Sequence, residues 1–564
     1  MTSRQFFSYF TSTFTLDVFP LPSLTETSST SVLLTQIPIN FDTIRPFTQS
    51  IKPSLTSGSD GIPPMVIKCG SDDIPLFLCK IFNVSLESGV FPSQWKTSVI
   101  NPRHKSGPLD DITNYRPINH TPISSRIFEK IIKKSLVDFL TSKGIISCAQ
   151  HGFISKRSCA TCHLDFLDFV TSSVDKGFSL IIVYLDMNKA FDRVPHKRLL
   201  LKLKSVGVSG NLLKWFSSFL SERKLVVRIG NEYSRPSEIT SGVIQGSVLG
   251  PILFLIYVND IFSLFSFGKP FMFADDLKIA YAFYPGDMQR TITRIQNELN
   301  SLDDWSNIWQ INFSPDKSGI TVYKCTPPVN AFTLKGKVLP FQNTVRDLGL
   351  RYSCNYSFSH QVTHQLAKCR QLLGLISRVF RLPQAKLELY KSHVRPLLEY
   401  SFLVGGNLRK YDRVAIESFQ RAFTKYVVGY SSTSTYRERC IALSLEPLWL
   451  RRIKLNMTVL HNILYNGTFN NNPLLELHNH GPYCLRNKGN TLVIPQTRTS
   501  FRARFFSNRY AILWNPLPQD IRAVSSTFQF KMRLQKFLSP VNILSLFQVY
   551  QTLDNLYENG PDYV

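Results

Sequence analysis

The stretch Phe271-Met-Phe-Ala-Asp-Asp-Leu-Lys-Ile-Ala-Tyr281 sets two strand-like segments on either side of adjacent carboxylates. Apolar strands that meet at a short charged junction fold as a tight hairpin, and the packed strands hold its tip rigidly. Successive strand residues point to opposite faces, so Asp275 and Asp276 alone do not build a two-metal site. A second anionic strand end is needed. Asp186 supplies it, closing the apolar run Ser179-Leu-Ile-Ile-Val-Tyr-Leu185, which reads as a strand buried on both faces. Two divalent ions about 3.5–4 Å apart need bridging carboxylates, and Asp186 with Asp275 would provide them. The competing reading has Asp186 capping the helix that follows. The other pairs, Asp72-Asp73, Asp110-Asp111 and Asp303-Asp304, read as solvated turn or helix residues.

Charge narrows the setting of these carboxylates. The 564 residues carry 65 Lys and Arg against 39 Asp and Glu, a net +26, and a polyanion such as nucleic acid is the expected partner. The excess is uneven. Residues 1–350 hold 37 basic and 28 acidic side chains, whereas residues 351–564 hold 28 and 11, so a carboxylate site belongs to the first part. A hydrophobic fraction of 43% argues against wholesale disorder. No apolar run approaches the 18–20 residues of a membrane span, and no signal peptide is evident. Ten scattered cysteines do not make a disulfide framework and suit a reducing compartment. An intracellular protein, nuclear or cytoplasmic, with no membrane association is expected.

Along the chain, residues 1–50 are rich in Ser, Thr, Phe and Pro and read as a loosely packed lead-in. From Ser124 to Leu140, apolar residues at 127, 128, 131, 132, 136, 139 and 140 make a helical stripe, with basic residues opposite. Residues 178–187 read as a strand, 196–220 as helical, 225–229 as a strand and 245–262 as helical. Beyond 351 the chain reads as basic helices joined by short loops. The middle is mixed α+β and the end mainly helical.

Three segments together resemble a known family. Tyr184-Leu-Asp-Met-Asn-Lys-Ala-Phe-Asp192, Ser241-Gly-Val-Ile-Gln-Gly-Ser-Val-Leu-Gly-Pro251 and Phe273-Ala-Asp-Asp276 resemble motifs A, B and C of reverse transcriptases, closest to the non-LTR, LINE-type (jockey-like) retrotransposons of animals. Ser59-Asp-Gly-Ile-Pro63, Asn114-Tyr-Arg-Pro-Ile118, Ile127-Phe-Glu-Lys130 and Gln150-His-Gly-Phe153 match the fingers in order. Asn312-Phe-Ser-Pro-Asp-Lys317 and Asp347-Leu-Gly349 match the later palm and the start of the thumb. Arg395-Pro-Leu-Leu-Glu-Tyr400, Gln420-Arg421, Arg451-Arg452 and Trp514-Asn-Pro-Leu-Pro518 resemble the tail.

The resemblance implies an α+β right-hand polymerase with an antiparallel palm sheet, followed by a mainly helical basic region. Its expected divisions are a lead-in (1–50), fingers (51–175), palm with late fingers and palm elements (176–345), a thumb-like helical region (346–440) and a basic C-terminal region (441–564). It implies RNA-templated DNA synthesis on a DNA primer with dNTPs and two Mg²⁺ ions, Mn²⁺ being a substitute. Asp186 and Asp275 would hold the ions, helped by the backbone carbonyl next to Asp186, with Asp276 a further carboxylate near the primer end. Phe191 would be the aromatic gate that collides with a ribose 2′ hydroxyl, or a core residue, or both. Gln245 and Gly246 would lie under the templating pair, where a missing side chain lets backbone approach the base. Lys317 would protonate pyrophosphate, and Lys105 and Arg116 would reach the incoming triphosphate. In the tail, Arg451, Arg452 and Lys454 would grip nucleic-acid phosphates.

Departures temper this picture. Phe273 replaces a frequent Tyr, Asn119-His-Thr121 stands where apolar or Ser residues are usual, and Cys159 takes the place of a frequent Thr. The endonuclease that precedes the polymerase in such relatives is not expected here, nor is a ribonuclease H cluster after 400. A catalytically inactive, truncated copy that only binds nucleic acid is the alternative reading; oligomeric state is left open. Cys159-Ala-Thr-Cys162-His163 fits the haem-attachment pattern, but helical spacing puts it on a packed face. Cys354, Cys369, Cys440 and Cys484 are spaced too irregularly for a zinc knuckle.

Overall fold

The computed structural model describes all residues except 24–31, 401, 404–407, 430–432, 468–473, 478–489 and 539–564; Cys484 and the end of the C-terminal region therefore lie outside the described residues. At its centre stands a four-stranded antiparallel sheet in the order Lys269–Phe273, Asp276–Phe283, Ser179–Asp186, Gly319–Tyr323. The inner strand Ser179–Asp186 is apolar at nearly every position because both faces are covered. Ile181, Val183 and Leu185 join one core with Leu277, Ile279 and Tyr281, and Leu180 and Ile182 join another with Phe271 and Ala280. The alternation is the two-residue period of a strand acting on two packed faces.

The first face carries the helices Ile123–Ser142, Gly250–Val258 and Met288–Trp309. The expected stripe on the first of these is buried at 127, 128, 131, 132, 136 and 140. The second face carries the helix Cys159–Asp175, and its core continues without a break through the helical C-terminal region to Leu538. The Cys159–His163 pentapeptide opens that helix, with Cys162 and His163 buried and Cys159 half-buried.

A second sheet has the order Tyr115–His120, Thr97–His104, Lys224–Ile229, Glu232–Tyr233, with Ser237–Glu238 also pairing to Lys224–Ile229. Its Thr97–His104 and Lys224–Ile229 strands run parallel. This sheet draws three of its five strands, Lys224–Ile229, Glu232–Tyr233 and Ser237–Glu238, from the 176–345 stretch, while helix Cys159–Asp175 lies on the central sheet. The chain thus crosses between the two sheets.

Three local expectations need correction. The lead-in opens with a packed helix: Ser3–Thr11 is helical with a Thr2 capping box. Phe6, Phe7 and Phe10 pack on Ile100, Leu225 and Val227, and each buried Phe contributes about 1.5–3 kcal/mol. The 196–220 stretch is two helices, His196–Ser205 and Gly210–Leu220, separated where Gly207 and Gly210 take positive φ. The helix expected from 245 begins only at Gly250, with Pro251 in its first turn, where a missing N–H costs nothing. Among the described residues no helix is long and apolar enough to cross a membrane.

Candidate active site

The expected hairpin is present. Phe273 and Asp276 form the last pair between its strands, which leaves Ala274 and Asp275 as a two-residue tip. Ala274 holds φ +58°, the left-handed conformation that such tight turns demand. Across the sheet, Asp186 pairs in register with Asp276, so the three carboxylates share one edge. Asp186 does not cap the next helix: the N-cap of Ala190–Arg193 is Lys189, without a side-chain cap. Its backbone is instead tied to the later segment. The Ser314 N–H donates to the Asp186 carbonyl at 2.9 Å, and the Asn188 N–H donates to the Asn312 carbonyl at 2.8 Å.

The electrostatics follow from this crowding. Burial raises the Asp275 carboxyl above its ordinary value and the Asp186 charge raises it further, while Lys105 and Arg116 pull it down. Asp276 still meets solvent, yet partial burial and then Asp275, Asp347 and Asp186 push it up to about 6, against Lys278. Carboxyls whose pKa is raised by neighbouring carboxylates mark a concentration of negative charge. Three hard oxygen donors in that state suit a hard divalent cation. Among the described residues no three His, Cys, Asp or Glu side chains converge on one point as a ready-made ion site. Lys317, in the turn Pro315–Lys317, borders a recess of about 130 Å³ together with Asp186, Asp276, Lys278, Arg346 and Asp347.

On the neighbouring side, Phe191 is half-buried. It stacks on Phe254 with ring centroids 4.4 Å apart and meets Phe153 edge-on at 6.0 Å. Gln245 donates through Nε2 to Asp192 Oδ1 at 2.7 Å. Its carbonyl accepts from the Asn119 side chain at 2.8 Å and from the Asn119 backbone at 2.9 Å. Gly246 has φ +105°, and a Cβ there would stand 2.6 Å from the Asn119 carbonyl oxygen. Close approach of the Asn119 strand therefore explains this glycine directly. The unusual Asn119 is what fastens that strand to Gln245.

Two groups had no role in the sequence reading, although both sit inside motifs it used. Burial pushes Asp192 up to about 6 despite the Gln245 hydrogen bond and the charges of Lys189 and Arg193. Asp347 is buried, which raises its pKa, but Lys278 and His163 outweigh that and hold it below the usual range. Asp347 pairs with Lys278 and accepts from the Tyr352 hydroxyl at 3.1 Å. The signal available for both was their place beside quoted motif residues; their burial was not legible.

The tail cluster is a correction. Arg452 is 8% exposed and lies in the helix Leu448–Asn466 facing the core. Arg451 is forked onto Glu399, and Lys454 pairs with Glu446 and Gln535. Arg451 and Lys454 are thus held by carboxylates of their own chain and Arg452 is buried, so the three do not form an exposed patch. Other tail cations anchor the region to the central sheet's helix. Arg502 pairs with Asp168 at 2.7 Å, and Asp175 accepts from the backbone N–H of Arg498 and Thr499 at 2.9 and 2.7 Å.

A hairpin carrying paired carboxylates thus stands beside a carboxylate-ended strand on an antiparallel sheet. Residues 103–352 match the reverse transcriptase (RNA-dependent DNA polymerase) family, and the chain contains a reverse transcriptase domain. It is similar to the probable RNA-directed DNA polymerase from transposon BS of Drosophila melanogaster, 27% identical over 425 residues, covering 71% of this chain and 46% of that protein. It is also similar to the RNA-directed DNA polymerase from mobile element jockey of the same species, 26% identical over 389 residues, 66% of this chain and 42% of that one. The chain spans less than half the length of these relatives. Among solved structures, a telomerase from Candida tropicalis aligns at TM-score 0.34 and 10% identity over 66% of this chain and 68% of that one. Reverse transcriptases as a family use divalent metal ions.

Proposed function

We propose that this chain synthesises DNA on an RNA template, extending a DNA 3′ hydroxyl with dNTPs as part of retrotransposon reverse transcription. The observation that carries this reading is the shared edge of Asp186, Asp275 and Asp276, with the charges of Lys105 and Arg116 acting on Asp275. Asp186 and Asp275 would hold two Mg²⁺ ions, for which Mn²⁺ can substitute. When bound, such ions activate the attacking hydroxyl and neutralise the leaving pyrophosphate. Lys105 and Arg116 neutralise the triphosphate from the opposite side, the guanidinium by its two-pronged fork. Lys317, beside Asp186 and Asp276, gives a proton to the departing pyrophosphate. Phe191, braced by Phe254, presents a ring edge where a 2′ hydroxyl would stand. Gln245, fixed by Asp192 and Asn119, supports the templating base, and Gly246 leaves room for it.

The carboxylate edge belongs to the palm in this reading, the second sheet to the fingers, and the helices beyond 351 to the thumb and C-terminal region. The protein works in the nucleus or cytoplasm. The test is incorporation of labelled dNTP on primed homopolymeric RNA with Mg²⁺, with Asp275→Ala as reference. Incorporation well above the variant is expected. None above it, with primed RNA still bound, would leave only the binding function.

A further inference from the structure

The carboxylate hairpin is gripped from outside its own strands. Gln150 is 1% exposed, and its Oε1 accepts from the Ala274 N–H at 2.9 Å and the Gly152 N–H at 2.7 Å. Its Nε2 donates to the Ala274 carbonyl at 3.3 Å. One side chain therefore holds both backbone groups of the residue that precedes Asp275.

The surrounding loop is built for that contact. The His151 N–H donates to the Met272 carbonyl at 2.7 Å, and the Met272 N–H donates to the Ala149 carbonyl at 2.9 Å, so the loop extends the hairpin's outer strand. A Cβ on Gly152 would stand 2.3 Å from the Ala274 nitrogen, which only glycine permits. Arg157 fixes the loop from behind, donating to the carbonyls of Cys148 and Gln150 at 2.7 and 2.5 Å. The Ser147 N–H donates to Asn259 Oδ1 at 3.0 Å.

Ala274 is a left-handed non-glycine residue, a conformation that persists only where its surroundings over-determine it. The direction of the Asp275 side chain follows from the peptide just before it. A catalytic group has to be held within about 0.5 Å of its working position. We propose that Gln150 is a positioning residue: with Gly152 beside it, it brackets Ala274 and so sets where Asp275 points. The proposal rests on the polymerase reading for its consequence in catalysis, and on the hydrogen bonds alone for its consequence in structure.

The experiment compares full-length wild type with Gln150→Met, which keeps the volume and removes every bond to Ala274, and with Gly152→Ala. Amide hydrogen exchange is read by mass spectrometry for a peptide covering 271–279, with the helix Lys410–Val428 as internal reference. Exchange in the hairpin is expected to quicken at least about tenfold, with the reference unchanged. On primed homopolymeric RNA, kcat should fall about 10- to 100-fold while the KM for dNTP holds. Hairpin exchange like wild type overturns the bracket. So does an equal rise in the reference helix, which would make Gln150 a general stability residue. Faster hairpin exchange with undiminished kcat overturns the positioning role. A wild type that incorporates nothing overturns the polymerase reading instead, and the exchange result still decides the bracket.

Discussion

The hairpin edge and the C-terminal helices use charge in opposite ways. At the edge, Asp186, Asp275 and Asp276 stand together; the Asp186 charge helps raise the Asp275 and Asp276 carboxyls, and Asp275 raises Asp276 as well. In the tail, a region with more than twice as many cations as anions, Arg451, Lys454 and Arg502 are each taken up by a carboxylate of the same chain. Glu417, buried nearby, accepts from the backbone N–H groups of Leu448 and Trp449, both at 3.1 Å. Charge left unpaired at a solvent-reachable edge awaits a ligand. Charge matched inside a helical region holds helices in place, so a regional excess of cations does not identify the ones that meet phosphate.

The strongest way to break this contrast is to remove a repelling carboxylate. Asp275→Ala should lower incorporation by at least about 10³-fold, the scale of losing one preorganised electrostatic group, without lowering the melting temperature. A variant that melts well below wild type would mean that the cluster is structural. The converse experiment removes one partner of a matched pair. Asp347→Ala leaves Lys278 buried without its carboxylate and should cost about 3–5 kcal/mol, read by denaturant unfolding; a loss below 1 kcal/mol would show that the pair is not a buried staple. Phe191→Val should weaken discrimination against ribonucleotides by about 10- to 100-fold, measured as the ratio of kcat/KM values. Unchanged discrimination would leave Phe191 with packing alone.

Acidity gives a smaller and signed effect. Asp276 sits near 6 in the fold against an ordinary 3.8. Its folded form therefore holds the proton more tightly, and the stability this contributes is present below about 3.8 and lost as pH rises through about 6. Asp276→Asn should melt higher than wild type at pH 7, the difference shrinking towards pH 4; a difference independent of pH would contradict the assignment. The smallest effect is expected in the tail. Arg452→Met should leave the salt slope of nucleic-acid binding unchanged, whereas Arg346→Ala, at the recess beside Asp276, should reduce it by about one. A lowered slope for Arg452→Met would restore that residue to the interface.

Much of the site was legible in the chain. A continuous apolar run ending in Asp186 and two strand-like segments around Asp275-Asp276 specify a buried strand and a hairpin through local periodicity alone. The order of the motifs then carried the family. The buried neighbours were not legible: Asp192, Asp347 and Gln150 are ordinary polar residues until strands and loops distant in sequence enclose them. The lead-in misled for the same reason, because Phe6, Phe7 and Phe10 look like scattered aromatics until the Thr97–His104 and Lys224–Ile229 strands supply a surface for them.

By itself, then, the sequence determined where strands and carboxylates fall, since period and turn chemistry act over a few residues. Tertiary structure decided which charges are paired and which stay open, because pairing depends on approaches such as Arg451 to Glu399 and Arg502 to Asp168. Those partners lie 52 and 334 residues apart, and no local pattern encodes a contact at that range. The same holds for the grip of Gln150 on Ala274, 124 residues away.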